Sequence, residues 1–207
     1  MLILVRHGES VANAGGLLVG RTDVALTERG RADAASVGRL LSAPVRALRT
    51  SPLGRARESA TLLGTGLDPV VDARWVEVDY GELECAPLGG VPADTWLAWR
   101  SDPHFRPPGG ETLAEVEIRV ADACTELLAQ DGAPAQEGGG DVVVVSHVAP
   151  IKAAVAWALG TSVLSSWRLH LLTASVTRIG WVDGRPVLHG FNEVAPGRLR
   201  TPDSARA

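Results

Sequence analysis

Lysine is nearly missing from this chain of 207 residues: Lys152 is the only one, and every other basic side chain is arginine. Arginine suits planar, bidentate oxyanion contacts, but a bias this uniform weighs first as coding bias. Basic charge as a whole is also short, with 20 Lys and Arg against 24 Asp and Glu. The resulting net charge of -4 and pI near 5.7 exclude a general binder of nucleic acid or anionic membranes, which needs a basic excess. Any anion site must be local. Cysteine is scarce too: Cys85 and Cys124 cannot build a disulfide framework and show no metal-ligand spacing, so they read as reduced thiols of a cytoplasmic protein. There is no basic n-region followed by a long apolar h-region at the start, and no apolar run of membrane-spanning length, so neither export nor insertion is expected.

What is present describes a globular domain. A hydrophobic content of 45% with 21% charged residues, at this length, suits a single domain over residues 1–207 with a sizeable core. The first ten residues, MLILVRHGES, organise the rest. Leu2 to Val5 reads as a short buried strand, and Arg6, His7 and Gly8 stand where it ends and turns. In an open α/β sheet, ligands bind beyond the carboxyl ends of the strands. A histidine there can attack, and an adjacent arginine can hold an anion.

Val11 to Ala25 reads as a loop or short helix turning at Gly15-Gly16. A helix then runs from an N-cap at Thr27 to Leu41, with Ala32, Ala35, Val37, Leu40 and Leu41 as its apolar face, and Pro44 closes it. Val45 to Thr50 is a second strand. Ser51-Pro52 then opens a helix with Ser51 as N-cap and Pro52 at its first position. Arg55 and Arg57 fall near that phosphate-attracting helix start, where one should point inward; the competing reading puts both on a solvated face.

A short strand at Pro69 to Val71 precedes WVEVDYGEL, where Glu77 alone would be an unremarkable strand-end carboxylate. Residues 85–110 form a short helix near Pro92 to Arg100 and a loop, a substrate-proximal insertion or lid. Packing is weighted above substrate contact for its Trp96 and Trp99. Thr112 and Glu115 make a capping box opening a long helix through Val116, Val120, Ala123, Leu127 and Leu128. Asp131 to Gly140 is a Gly-rich loop. The four valines of VVVVSHVAP mark a central parallel strand ending at His147, with a helix beginning near Pro150. Residues 195–207 read as a loose tail.

One histidine at a strand end is usually structural. Two, with a third junction carrying arginine, could converge at one sheet edge as His7, Arg6, Arg55 and His147. The flanking arginines would repel a divalent cation and no H-E-x-x-H pattern occurs, so the cluster prefers an anion, with no metal and no cofactor expected.

The ordered segments LVRHGES with Asn13, GRTDVALTERG, SPLGRARESA, WVEVDYGELE, PPGGETLAEVEIRV and VVVVSHVAPIK resemble the successive motifs of the histidine phosphatase superfamily, the phosphoglycerate mutase-like proteins. VSHVAPIK is similar to α-ribazole phosphatase-like and broad-specificity phosphatase members. The resemblance spans Leu2 to about Ala158. It implies an α/β fold, a three-layer α/β/α sandwich around a mixed, mostly parallel central sheet, with the last segment, Leu169 to Phe191, adding edge strands. It also implies that His7 becomes phosphohistidine, that Arg6, Arg55 and His147 surround the phosphoryl group, and that Glu77 is the proton donor. Asn13, Gly20, Arg21 and Val148 would be substrate or phosphate contacts.

The pattern is not followed everywhere. Val148 stands where many relatives have glycine, Val19-Gly20 where mutases resemble one another in threonine-glycine, Arg21 where they use tryptophan, and Cys85 where glycine is common. The basic residues that help mutases hold phosphoglycerate are not evident after Glu77.

The expected activity is a metal-independent phosphomonoesterase on a small-molecule phosphate ester. A 2,3-bisphosphoglycerate-dependent phosphoglycerate mutase is the alternative, and a noncatalytic phospho-ligand domain a third reading. A homodimer stays open, since periodicity reveals no self-complementary face.

Overall fold

The computed structural model describes residues 1–129 and 140–196. Its centre is a strand that water never reaches. β4 (Asp141–Ser146) is buried at every position and lies between β1 (Leu2–Arg6) and β2 (Val45–Thr50), parallel to both. The six-stranded sheet runs β3-β2-β4-β1-β5-β6. β3 (Val70–Val71) is a parallel edge, while β5 (Val176–Val182) and β6 (Arg185–Glu193) are antiparallel. The sheet is therefore mixed and mostly parallel. Of the two final strands only β6 is an edge, because β5 pairs with β1 on its other side.

Period-2 alternation splits the core into two halves. Leu2, Leu4, Val142 and Val144 face one side, with Val116, Val120, Ile151 and Ala154 from α5 (Leu113–Ala129) and α6 (Val148–Leu159). Ile3, Val5, Val143 and Val145 face the other, with Val37 of α2 (Glu28–Val37) and Ala56 and Ala60 of α3 (Gly54–Leu62). Helices on both faces are what buries the apolar runs of β1 and β4, giving three layers. α1 (Val11–Ala14) and α4 (Ala93–Ser101) are the other α-helices among the described residues.

Local signals hold at several ends. Thr27 caps α2 by accepting from Gly30 N, and Thr112 and Glu115 exchange the two capping-box hydrogen bonds. Other expectations are corrected. α3 begins at Gly54, two residues beyond Pro52, and its N-cap is Leu53 without a side-chain bond; Ser51 is engaged elsewhere. α6 begins at Val148, with Pro150 already inside its first turn. On α2 the buried residues are Gly30, Ala34 and Val37, and Ala32 and Ala35 are exposed. Residues 131–139 and 197–207, read as loop and tail, lie outside the described residues, as does the side chain of Leu128.

Close backbone approach explains the glycine of RHG. A Cβ on Gly8 would stand 2.2 Å from the Gly30 carbonyl oxygen, and one on Gly30 2.0 Å from that of Glu9. The loop leaving β1 thus lies directly on the first turn of α2. No described helix is long and apolar enough to cross a membrane.

Candidate active site

The carboxyl ends of β1 and β4 are adjacent in register, Arg6 opposite Ser146, so the residues that follow each strand emerge side by side. His7 and His147 accordingly have ring centroids 5.0 Å apart. His7 Nδ1 lies 2.6 Å from the Gly8 carbonyl. A carbonyl only accepts, so Nδ1 carries the proton and Nε2 is left with its lone pair. Burial, first, and then Arg55 and Arg6 hold the His7 pKa well below its ordinary value, against a small opposing effect of the Gly8 bond. The ring is a neutral imidazole with Nε2 available, 3.3 Å from Arg55 Nε.

Arg55, in the first turn of α3, is buried while Arg57 is exposed, resolving the choice between them. Its Nη2 donates to the Gly20 carbonyl at 2.6 Å and its Nη1 to that of Thr22 at 2.9 Å. Glu84 holds this loop from beneath: its Oε1 accepts from the amides of Gly20 and Arg21, both at 2.9 Å, and Oε2 from Thr22 at 3.4 Å. A side chain at position 20 would collide, since a Cβ there falls 2.2 Å from the Val78 carbonyl and 2.4 Å from Glu84 Oε1. Gly20 therefore meets the site through its carbonyl and the Arg55 guanidinium. Arg6 is anchored on the opposite side, donating from Nη1 to the Leu171 carbonyl at 2.5 Å.

Glu77 is buried, at 4% exposure, which removes the reading of a solvated strand end. Its Oε1 accepts from Val78 N at 2.9 Å and Ala149 N at 3.0 Å, and its Oε2 from Val148 N at 3.0 Å. Val148 and Ala149 are the first two residues of α6, so the carboxyl sits on a helix N-terminus. Burial nevertheless outweighs the amides and the two arginines, and raises its pKa. A proton can reside there above the usual carboxylate range, and a bound phosphate dianion would raise the value further.

His147 is wholly buried and its Nε2 is 2.7 Å from Ser51 Oγ. Ser51 Oγ accepts from Leu53 N at 3.3 Å, so the hydroxyl proton is free to point at Nε2 and place the ring proton on Nδ1. Nδ1 has no hydrogen-bond partner among the described residues. Burial, then His7 and the arginines, lower the His147 pKa.

These groups close one end of a cavity of about 200 Å³, lined there by Arg6, His7, Asn13, Arg55, Glu77 and Val148. Asn13 accepts from Ser10 N and Oγ through Oδ1, which leaves its amide nitrogen for a ligand oxygen. The far end is apolar, with Leu17, Leu88, Trp96, Trp99 and Trp167. Trp99 also fills the core at 1% exposure, so packing and pocket wall are one role for this side chain. Gly20, Arg21 and His147 do not line the cavity. Arg21 is exposed and ion-paired, 3.2 Å from Glu111 and 3.5 Å from Asp79; that pairing turns its charge away from the phosphate end. Cys85 keeps the turn where a glycine is common by adopting φ 62°.

Ser51, Glu84 and Lys152 were missed as site residues. Ser51-Pro52 carried a stronger local helix-cap signal, and Glu84 and Lys152 have no motif of their own. The singularity of Lys152 was the available clue.

A family model for the histidine phosphatase superfamily (branch 1) matches residues 2–194. A 2,3-bisphosphoglycerate-dependent phosphoglycerate mutase 2 of Gloeobacter violaceus is 34% identical over 163 residues, 74% of this chain and 73% of its own. A glucosyl-3-phosphoglycerate phosphatase of Mycobacterium tuberculosis is equally 34% identical over 157 residues, 70% of this chain and 69% of its own. A solved structure called Mycobacterial hydrolase 1 superposes with a TM-score of 0.84 at 32% identity, covering 94% of this chain and 99% of that one. Mutase and phosphatase relatives stand at the same identity, so similarity alone does not choose between them.

Proposed function

We propose, from the premise that this chain belongs to the histidine phosphatase superfamily, branch 1, that it is a metal-independent phosphomonoesterase acting on a small phosphate ester through a phosphohistidine on His7. The observation that carries this reading is the His7 ring: Nδ1 is fixed by the Gly8 carbonyl, and a neutral Nε2 stands beside Arg55 at the cavity. A binding site needs no such nucleophile.

Phosphoryl transfer depends on in-line positioning and on compensating charge over the equatorial oxygens. His7 Nε2 attacks phosphorus and the P–O bond to the leaving group breaks. Arg6, Arg55 and the amide of Asn13 hold the phosphoryl oxygens, and His147, outside the cavity lining with its ring centroid 5.0 Å from that of His7, positions the nucleophile's ring. Glu77, protonated, gives its proton to the departing alkoxide; ionised by that step, it takes a proton from the water that attacks phosphohistidine, and inorganic phosphate leaves with His7 regenerated. The two arginines supply the positive charge that a metal supplies elsewhere.

The phosphatase is favoured over the mutase by the far end of the cavity. A bisphosphorylated intermediate needs a second cluster of cations, and beyond Arg6 and Arg55 the described lining offers the single lysine Lys152 beside tryptophan and leucine. Single-turnover trapping with an aryl phosphate should yield an acid-labile, base-stable phosphoenzyme, and His7→Ala should lower kcat by more than about 10³-fold. Full turnover by His7→Ala, or isomer exchange among phosphoglycerates without phosphate release, would exclude the proposal.

A further inference from the structure

Lys152 is the one lysine in the chain, and it lines the cavity. It lies four residues after Val148 on α6, one turn above the amides that hold Glu77. Helical side chains lean back toward the N-terminus, which carries the ammonium toward the proton donor and so toward the leaving-group side of the phosphoryl site. The charged groups that act on it there are Arg6 and Glu77. No described residue accepts a hydrogen bond from it or pairs with it.

A half-buried ammonium with no hydrogen-bond partner among the described residues loses part of its hydration without replacement. Burial lowers its pKa to about 8, with Arg6 pushing the same way and Glu77 opposing. Arg100, outside the cavity lining, is turned outward: it lies over the faces of Trp96 and Trp167, at 5.8 and 5.6 Å, and is exposed. Trp96, Trp99 and Trp167 make the wall between, with Trp96 and Trp99 stacked at 5.8 Å. His170 is exposed at the rim.

We infer that Lys152 is a specificity-determining contact for a carboxylate on the leaving group, so that the preferred substrates are phosphate monoesters of apolar or aromatic hydroxy acids. The inference rests on the phosphomonoesterase reading and names its substrate class. The charge count favours a carboxylate over a second phosphate: one ammonium, with no other unengaged cation beside it among the described residues, matches one negative charge and would leave a dianion half-compensated. The indole wall, poor in hydrogen-bonding groups, matches a flat or aliphatic body better than a polyol. The carboxylate would complete an ion pair that no described residue supplies, at a site already partly stripped of water.

The test compares phenyl phosphate with the three carboxyphenyl phosphates in the wild type, Lys152→Met and Lys152→Arg. For at least one isomer, the wild type should show a kcat/KM ratio over phenyl phosphate of about tenfold or more, carried mainly by KM. Lys152→Met should collapse that ratio at least tenfold, and Lys152→Arg should keep part of it. A wild-type ratio at or below one for every isomer, or a ratio unchanged within twofold in Lys152→Met, overturns the inference. Binding is read separately in His7→Ala by calorimetry and by the single signal of ε-13C-labelled lysine. Selective, Lys152-dependent binding without turnover in the wild type would sink the phosphatase reading and leave this contact standing. His7-dependent turnover with no carboxylate preference would do the reverse.

Discussion

Removing the Glu84 carboxylate should disable Arg55 without touching it. Glu84 accepts from three consecutive amides, two of them at 2.9 Å, and those residues present the carbonyls of Gly20 and Thr22 to Arg55 at 2.6 and 2.9 Å. In Glu84→Ala the loop keeps its sequence and loses its floor. Hydrogen bonds to a charged acceptor contribute about 1.5–3 kcal/mol each; with Glu84 partly exposed and the Thr22 bond long, a total loss near 2–3 kcal/mol of stability is expected. A guanidinium displaced by about 1 Å costs up to about 10²-fold at a phosphoryl centre. kcat/KM for an aryl phosphate should therefore fall about 10- to 100-fold. Glu84→Gln keeps one oxygen able to serve the Gly20 and Arg21 amides and should retain more activity. The decisive assay is the double-mutant cycle with Arg55→Ala: once the guanidinium is gone, Glu84→Ala should cost little more. A folded Glu84→Ala enzyme within twofold of wild type, or one whose full effect persists in the Arg55→Ala background, would refute the clamp.

Two more predictions concern the histidines. Ser51→Ala removes the hydroxyl at Nε2 of His147; kcat should drop about tenfold, and the imidazole 15N shifts should report loss of the Nδ1–H tautomer, whereas unchanged shifts would free Ser51 of this role. For stability, both His7 and His147 are depressed below 6.5. The unfolded chain therefore takes up protons below pH 6.5 that the folded chain refuses, and stability is lost as pH falls from 6.5 toward the folded values, at up to about 1.4 kcal/mol per pH unit for each. Glu77, raised above 4.5, opposes this between 4.5 and its folded value, where the folded state holds the extra proton. Urea midpoints should fall from pH 7 to pH 5 and fall less steeply in His147→Gln; a flat profile would contradict two neutral buried imidazoles.

The sheet was legible where the signal is local. Four consecutive valines can only be a strand covered on both faces, and MLILV likewise. The capping box of Thr112 and Glu115 acts within one turn. The meeting of Arg6, His7, Arg55 and His147 was readable because parallel strands share an edge, so strand-end residues converge whatever lies between them. The same locality misled at Ser51, whose cap signal was real but whose hydroxyl found His147, 96 residues away. It misled again on α2, where Gly30 had to face the Glu9 backbone and so turned Ala32 and Ala35 to solvent.

What the sequence determined by itself was the central valine strand, the convergence of the strand-end residues and the family. Tertiary structure decided everything that depends on who is buried against whom. Glu77 became a raised-pKa carboxyl because the fold buries it, an effect that outweighs the opposing pull of the α6 amides 71 and 72 residues on. Gly20 turned out to serve Arg55, Arg21 to leave the cavity for Glu111, and Lys152 to line the pocket near Glu77 and Arg6. Periodicity and turn chemistry act over a few residues; desolvation and ion pairing act across space, and folding sets them.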